Sequence, residues 1–283
     1  MSVVARYSIA EALRRRVFTI IVVLTAAFLV LYALGTIAIF DEVEDQSFFS
    51  EQDLLEERAL TGGTLVGLGM FVIFFLGVVL SVFMTMSTVR GDAERGILQP
   101  IAVRPVGRRA ILLGRLIAAG SVAAGYVALV FLAVVAITEL AGDWSPDRIL
   151  TPALALMGAV LVVTCLSTLG SVHLPTSANG IAIFMTFGAG LTAGLLGQIG
   201  EALDSDRLEE IADVATFLLP FEALYQGGLH ELTADTTGFA EVVISLGPFG
   251  GAESLGPGGV AWAIAYCAAA IFLALRGFKR RDL

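Results

Sequence analysis

The sequence predicts an all-α polytopic membrane protein: six transmembrane helices, an N-terminal interfacial helix, and both termini in the cytoplasm. Three observations carry that expectation. Hydrophobic residues make up 57% of the 283-residue chain and charged residues only 15%, where soluble domains carry about 45–50% apolar and about 25% charged residues. Several uncharged runs exceed the ~20 residues needed to cross a ~30 Å hydrocarbon core. The charges that remain are segregated along the chain. A transmembrane β-barrel is excluded, because it would show segments of about ten residues with alternating polarity.

Residues 1–16 have apolar or aromatic side chains at Val3, Tyr7, Ala10 and Leu13, with Arg6, Glu11 and Arg14 to Arg16 between and after them. That stripe suits a helix lying in the headgroup plane. The first span is 17–40, 24 residues without a charge. It is longer than the 7–15 residues of a signal core and no small-residue cleavage site closes it, so a retained span is expected. Asp41 to Arg58 carries eight carboxylates and one arginine. They are clustered without calcium-loop spacing or its glycine, and read as a solvated acidic loop.

The second span is 62–88, within an uncharged run of 31 residues from Ala59 to Val89. Gly62, Gly63, Gly67, Gly69 and Gly77 offer flat surface there for close helix contact. A basic segment occupies 89–111, the third span 112–138, and a short acidic loop with Pro146 and Pro152 follows. The 52 residues from Ile149 to Gly200 contain no Asp, Glu, Lys or Arg. They divide into spans at 150–172 and 178–200 around the polar, Pro- and Gly-punctuated stretch Ser171 to Gly180. His173 reads as a turn residue at the interface.

Residues 201–256 form an extracytoplasmic segment, acidic at first and then broken by Gly and Pro. It is too interrupted to span, though short helices within it could dip into the outer leaflet where protein buries them. The last span, 257–275, ends in Arg276-Gly277-Phe278-Lys279-Arg280-Arg281-Asp282-Leu283.

Lys and Arg stay on the cytoplasmic side, which sets the orientation. With the N-terminus, the basic segment, the 171–178 turn and the C-terminus inside, the inner side holds 14 of 17 Lys+Arg and four of 26 Asp+Glu, a net of +10. The outer side holds Arg58, Arg148 and Arg207 against 22 carboxylates, a net of −19. So acidic an exterior, with Arg almost to the exclusion of Lys, suggests a high-salt, haloarchaeal source. Nucleic acid is not an expected partner.

Catalytic and metal chemistry is not expected of this chain. A phosphate-binding P-loop needs Gly-Lys followed by Ser or Thr, and the one lysine, Lys279, follows Phe278. His230-Glu231 begins a zinc-protease pattern, but Ala234 stands where the second histidine belongs. The only histidines are His173 and His230, too few for a histidine metal centre. Cys165 and Cys267 lie in apolar runs and read as small buried residues. Thr164 and Ser167 read as packing positions. No span has an ionisable residue at its middle, where ion-coupled carriers keep their relays. An intramembrane enzyme therefore has the weakest support, and a solute carrier of this kind would need an outside source of energy.

The place to receive that energy is Arg90 to Arg115, which holds six of the seventeen basic residues. On physics alone it marks the cytoplasmic side and no more. The order Glu94-Arg95-Gly96-Ile97-Leu98, then Arg104-Pro105-Val106-Gly107-Arg108, then Leu112-Leu113-Gly114-Arg115 resembles the loop after the second span of ABC-2 type permeases, the membrane subunits of ATP-binding-cassette exporters, including the copper-processing NosY-like group. The ending Phe278 to Leu283 is similar to that family's, and the resemblance covers 1–283 as a single ABC-2 type transmembrane domain. It implies a cytoplasmic coupling loop at 89–111 seated on a separate ATPase subunit, with Arg90, Glu94, Arg95, Gly96, Arg104, Pro105, Arg108 and Arg109 as coupling residues. It further implies no cofactor on this chain, ATP being bound by the partner, and a homodimer or heterodimer of permeases in the cell membrane. The acidity of the outer loops is no requirement of the family. A non-transporting anchor or assembly subunit of a multiprotein complex is the alternative.

Overall fold

The computed structural model describes residues 16–45, 51–86, 108–233 and 254–279. The expected interfacial helix before Arg16, most of the coupling loop, 234–253 of the outer segment and the chain end after Lys279 lie outside them. Among the described residues there are helices and turns and no strand. In chain order the helices are α1 (Arg16–Asp45), α2 (Glu51–Thr85), α3 (Arg108–Gly142), α4 (Leu150–His173), α5 (Thr176–Leu203), α6 (Asp206–Leu218), α7 (Pro220–Thr233) and α8 (Pro257–Lys279).

Six of these are long and apolar enough to span a membrane: α1 to α5 and α8. Several outrun the predicted spans. α1 continues to Asp45 and α2 begins at Glu51, so much of the expected acidic loop is helix. The reason is local: no Gly or Pro lies between Asp41 and Arg58 to break the hydrogen-bond ladder. Asp41 and Glu42 remain exposed there. α3 and α5 stop where Asp143 and Asp204 adopt left-handed conformations, φ 49° and 51°, a role their short polar side chains tolerate. Pro152 does not break α4; it sits in the first turn, where its missing N–H costs no hydrogen bond.

α4 is the hub. It packs against α2, α3, α5, α7 and α8, and Leu156, Ala159 and Val160 are wholly buried. α2 approaches closely at Gly77, where an added Cβ would stand 2.6 Å from Val127 and 3.0 Å from Val160. Glycine is what admits the neighbouring valines. α1 is peripheral, held to α3 by Thr25–Tyr126 and Tyr32–Thr138 hydroxyl contacts of 2.6 and 2.7 Å.

The segment after the fifth span folds back into the bundle. α6 returns along α5, with Ala212 beside Gly197 and Glu209 beside Gly200. The chain reverses at Leu219, and Pro220 opens α7 at the position where proline's fixed φ favours a helix start. α7 then runs outward along α4: Leu224 lies against Gly158, Gly228 against Ala155 and Pro152, and Glu231 reaches Arg148. Phe221, Leu224, Tyr225, Leu229 and Leu232 are all buried in the main core. These two helices have 13 and 14 residues, about 20 Å each at 1.5 Å per residue. They form a hairpin packed back onto the bundle, each helix too short to be a further span.

Candidate functional site

One end of the bundle gathers the starts of α1, α3 and α5 and the ends of α2, α4 and α8. Because Arg16, Arg108, Arg109, Arg276 and Lys279 all belong to it, it is the basic end. Of the eight expected coupling residues, Arg90, Glu94, Arg95, Gly96, Arg104 and Pro105 lie outside the described residues. Arg108 and Arg109 open α3, and Arg109 is exposed. The structure therefore describes the two stems of the loop, α2 and α3.

The α2 stem is anchored by hydroxyls. Ser81 and Thr164 hydroxyls meet at 2.8 Å, and Thr85 donates to Ser167 at 2.6 Å. Asn179 of α5 donates its Nδ2 to the Ser167 carbonyl at 3.0 Å. All five side chains are buried. In an apolar surrounding a hydroxyl left without a partner is costly, so the seam registers α2, α4 and α5 against one another. Thr164 and Ser167 are packing positions, as expected, and their partners are now identified. On the other side of α4, Gly277 of α8 lies against the exposed His173, whose Nδ1 is 3.1 Å from the Leu169 carbonyl.

The opposite, acidic end holds the hairpin, and here sequence reasoning missed a residue. Glu222 was counted among the outer carboxylates, yet its side chain is fully buried. Gln226 Nε2 donates to Glu222 Oε1 at 3.3 Å, while Oε2 has no hydrogen-bond partner. Burial raises its pKa to about 8, against a smaller opposing effect of Gln226; the neutral acid is the form that suits the site. α5 makes room at Gly194, where a Cβ would stand 2.6 Å from Glu222 Oε1. Beside it Phe74 stacks on Tyr225 at 5.1 Å and meets Phe187 edge-on at 5.2 Å, tying α2, α5 and α7 together. The signal was present: Phe221, Leu224, Tyr225, Leu229 and Leu232 recur at helical spacing, and the Gly227-Gly228 pair obscured it.

Between α3, α4 and α8 lies an apolar cavity of about 940 Å³, closed toward the acidic end by α7. Gly120, Gly158, Cys165, Cys267 and Leu255 are among its walls, and Glu231 is the charged residue lining it. Glu231 holds Arg148 at 2.7 Å. Cys165 and Cys267 are both free thiols and pack into one apolar cluster from facing helices. Among the described residues no group of three or more His, Cys, Asp or Glu could hold a metal.

Six helices long and apolar enough to span, packed round α4, define a multi-pass membrane protein. The family model described as ABC-2 family transporter protein matches residues 2–283, so the chain belongs to that family and is the membrane domain of an ABC transporter. No curated protein matches the chain.

Proposed function

We propose that this chain is the permease subunit of an ABC exporter and that a separate ATPase subunit drives it through the 90–115 loop. Family membership carries the reading, since the family's membrane domain is not itself the ATPase. The sequence adds that no Gly-Lys-Ser/Thr phosphate loop exists in the chain. In this reading the basic end faces the cytoplasm, and Arg90, Glu94, Arg95, Gly96, Arg104, Pro105, Arg108 and Arg109 contact the ATPase. Two such permeases pair, and nucleotide closure of two ATPases swings the loops inward. Packing of the α2 stem against α4 and α5 supports transmission, because a push on that stem moves three spans as a body.

Co-purification and ATPase stimulation test this. The permease is expected to retain an ATPase subunit, and deletion of Glu94 to Gly96 to abolish permease-stimulated hydrolysis while the chain still inserts. An intact stimulation in the deletion variant, or no associated ATPase, overturns the reading.

A further inference from the structure

Glu222 has no part in the coupling scheme, and it lies in a seam between two groups of helices. Along α5, Gly190 faces Phe221, Gly194 faces Glu222, Gly197 faces Ala212 and Gly200 faces Glu209. The hairpin therefore rests on bare α5 backbone, a contact made by close approach and not by interlocking side chains. α7 is fixed elsewhere: Leu224 lies on Gly158 of α4, Gly228 lies on Ala155, and Glu231 is tied to Arg148. α6 buries Ala212 alone. It joins α5 through the left-handed turn at Asp204, where the Ser205 N–H donates to the Gly200 carbonyl at 2.9 Å. α5 and α6 thus form one unit and α7 and α4 another, with the Glu222 carboxyl between them.

The seam accepts that carboxyl only with its proton on. Glu222 is wholly buried. Gln226 supplies one donor to Oε1, and among the described residues Oε2 has none. The helices packed on α7 are α2, α4, α5, α6 and α8, and none brings a counter-charge to it. α5 has no ionisable residue from Thr176 to Gly200, and α2 has none from Ala59 to Thr85. α4 has Cys165 and, at the basic end, His173. α8 has Tyr266, Cys267, and the Arg276 and Lys279 of the basic end. The side chains of Asp206, Arg207, Glu209, Glu210 and Asp213 on α6 are exposed. On α7 itself, Tyr225 is held neutral by burial and by the adjoining Glu222, while His230 and Glu231 lie about two turns farther on. A carboxylate with one donor and no cation costs more in such a place than its contacts return. Ionisation therefore requires water. Gly194 is nine residues from the end of α5 at Leu203, about 14 Å at 1.5 Å per residue, so the seam is the short way in from the acidic end.

We propose that Glu222 is a proton-binding site that latches α5 to α7: protonated it closes the seam, and ionised it parts α5 and α6 from α7. The proton leaves to water that enters from the acidic end, and the carboxylate it leaves behind is hydrated in the opened seam. α7 stays on α4, so the movement is confined to one side of the bundle. Acid closes the seam and alkali opens it, because burial favours the neutral form. The latch belongs to the permease itself and is independent of any ATPase.

Spin labels on the whole chain in phosphatidylcholine nanodiscs test it, with Cys165 and Cys267 replaced by alanine. One pair, Glu210→Cys on α6 and Leu150→Cys on α4, reads the seam from two exposed positions. A second pair, Leu150→Cys and Val260→Cys on α8, is the reference. Electron–electron distances are recorded from pH 4.5 to above pH 8, the two ends of the Glu222 titration. The seam pair is expected to show one distance at the acid end and a second, longer one at the alkaline end. The ratio of longer to shorter is expected to rise at least about tenfold. Glu222→Gln, neutral throughout, is expected to keep the short distance across the range, and the reference pair to stay in place. If the amide variant fails to insert, Glu222→Met, apolar and of similar length, takes its part. A seam distance that does not change with pH overturns the proposal. So does a longer distance that appears equally in the neutral variant, since another group then drives it. A reference pair that broadens in step with the seam pair overturns it too, because the whole bundle then loosens.

Discussion

Glu222 is a buried carboxyl whose ionisation is coupled to folding. Its ordinary pKa of 4.5 rises to about 8 in the fold. Below the lower value the carboxyl is neutral whether folded or unfolded. Between the two the unfolded chain ionises and the folded one does not, so stability falls as pH rises from about 4.5 to about 8 and levels off above. Thermal melting of the detergent-solubilised protein should follow that course, and Glu222→Gln should flatten it and melt higher at pH 8 and above. An unchanged pH profile in the variant would place the dependence elsewhere. The hydroxyl seam makes a second prediction. Thr85→Val and Ser167→Ala, combined in a double-mutant cycle, should show a coupling of about 0.6 kcal/mol, the mean for such bonds between membrane helices. The thiols make a third. Because Cys165 and Cys267 pack in one cluster and no other cysteine exists in the sequence, mild oxidation with copper–phenanthroline should form one intramolecular disulfide joining α4 to α8. Mass spectrometry of a non-reduced digest reads it directly.

At the scale of elements, the hairpin of α6 and α7 is the part that departs from a plain bundle. Its hold on α5 depends on small residues beneath large ones: Gly190 under Phe221 and Gly194 under Glu222. Gly194→Leu should push α7 off α5 and cost about 1–3 kcal/mol, the range for overpacking a filled interior. Lower melting, with faster proteolysis between α5 and α8, is the measurement. The other clamp is on α8, where Trp262 stacks on Phe217 at 4.4 Å and donates to its carbonyl at 2.8 Å. Six spans were legible in the sequence because each is a continuous apolar run. The hairpin was only foreshadowed there, as short helices able to dip into the bilayer. Each of its helices is shorter than a span and interrupted by Gly or followed by Pro, so length and hydropathy did not separate it from a solvated loop. Its apolar stripe acquires meaning only once α4 and α5 are present to receive it.

For the molecule as a whole, the charge asymmetry predicts that the basic end faces the cytoplasm. Single cysteines at Lys279 and at Ser145, in a background lacking Cys165 and Cys267, should report it in intact cells. An impermeant maleimide should label the Ser145 position at once and the Lys279 position only after permeabilisation; the reverse pattern would invert the topology. The basic loop stood out in the sequence through charge and residue order, and the family model matches the chain over 2–283. What the end of α2 packs on was not legible, because it is joined to residues more than 80 positions away, Ser81 to Thr164 and Thr85 to Ser167.

By itself the sequence determined the class, the number of spans, the expected orientation and the resemblance to ABC-2 permeases. Those follow from hydropathy, charge and short-range order, which are local properties and add along the chain. Only the tertiary structure decided that α4 is the hub, that Glu222 lies inside the bundle and that two cysteines share a cavity wall. Each of these depends on which helix faces meet. In a membrane most residues of every span are apolar, so their pattern carries little information about facing, and close packing between distant segments settles it.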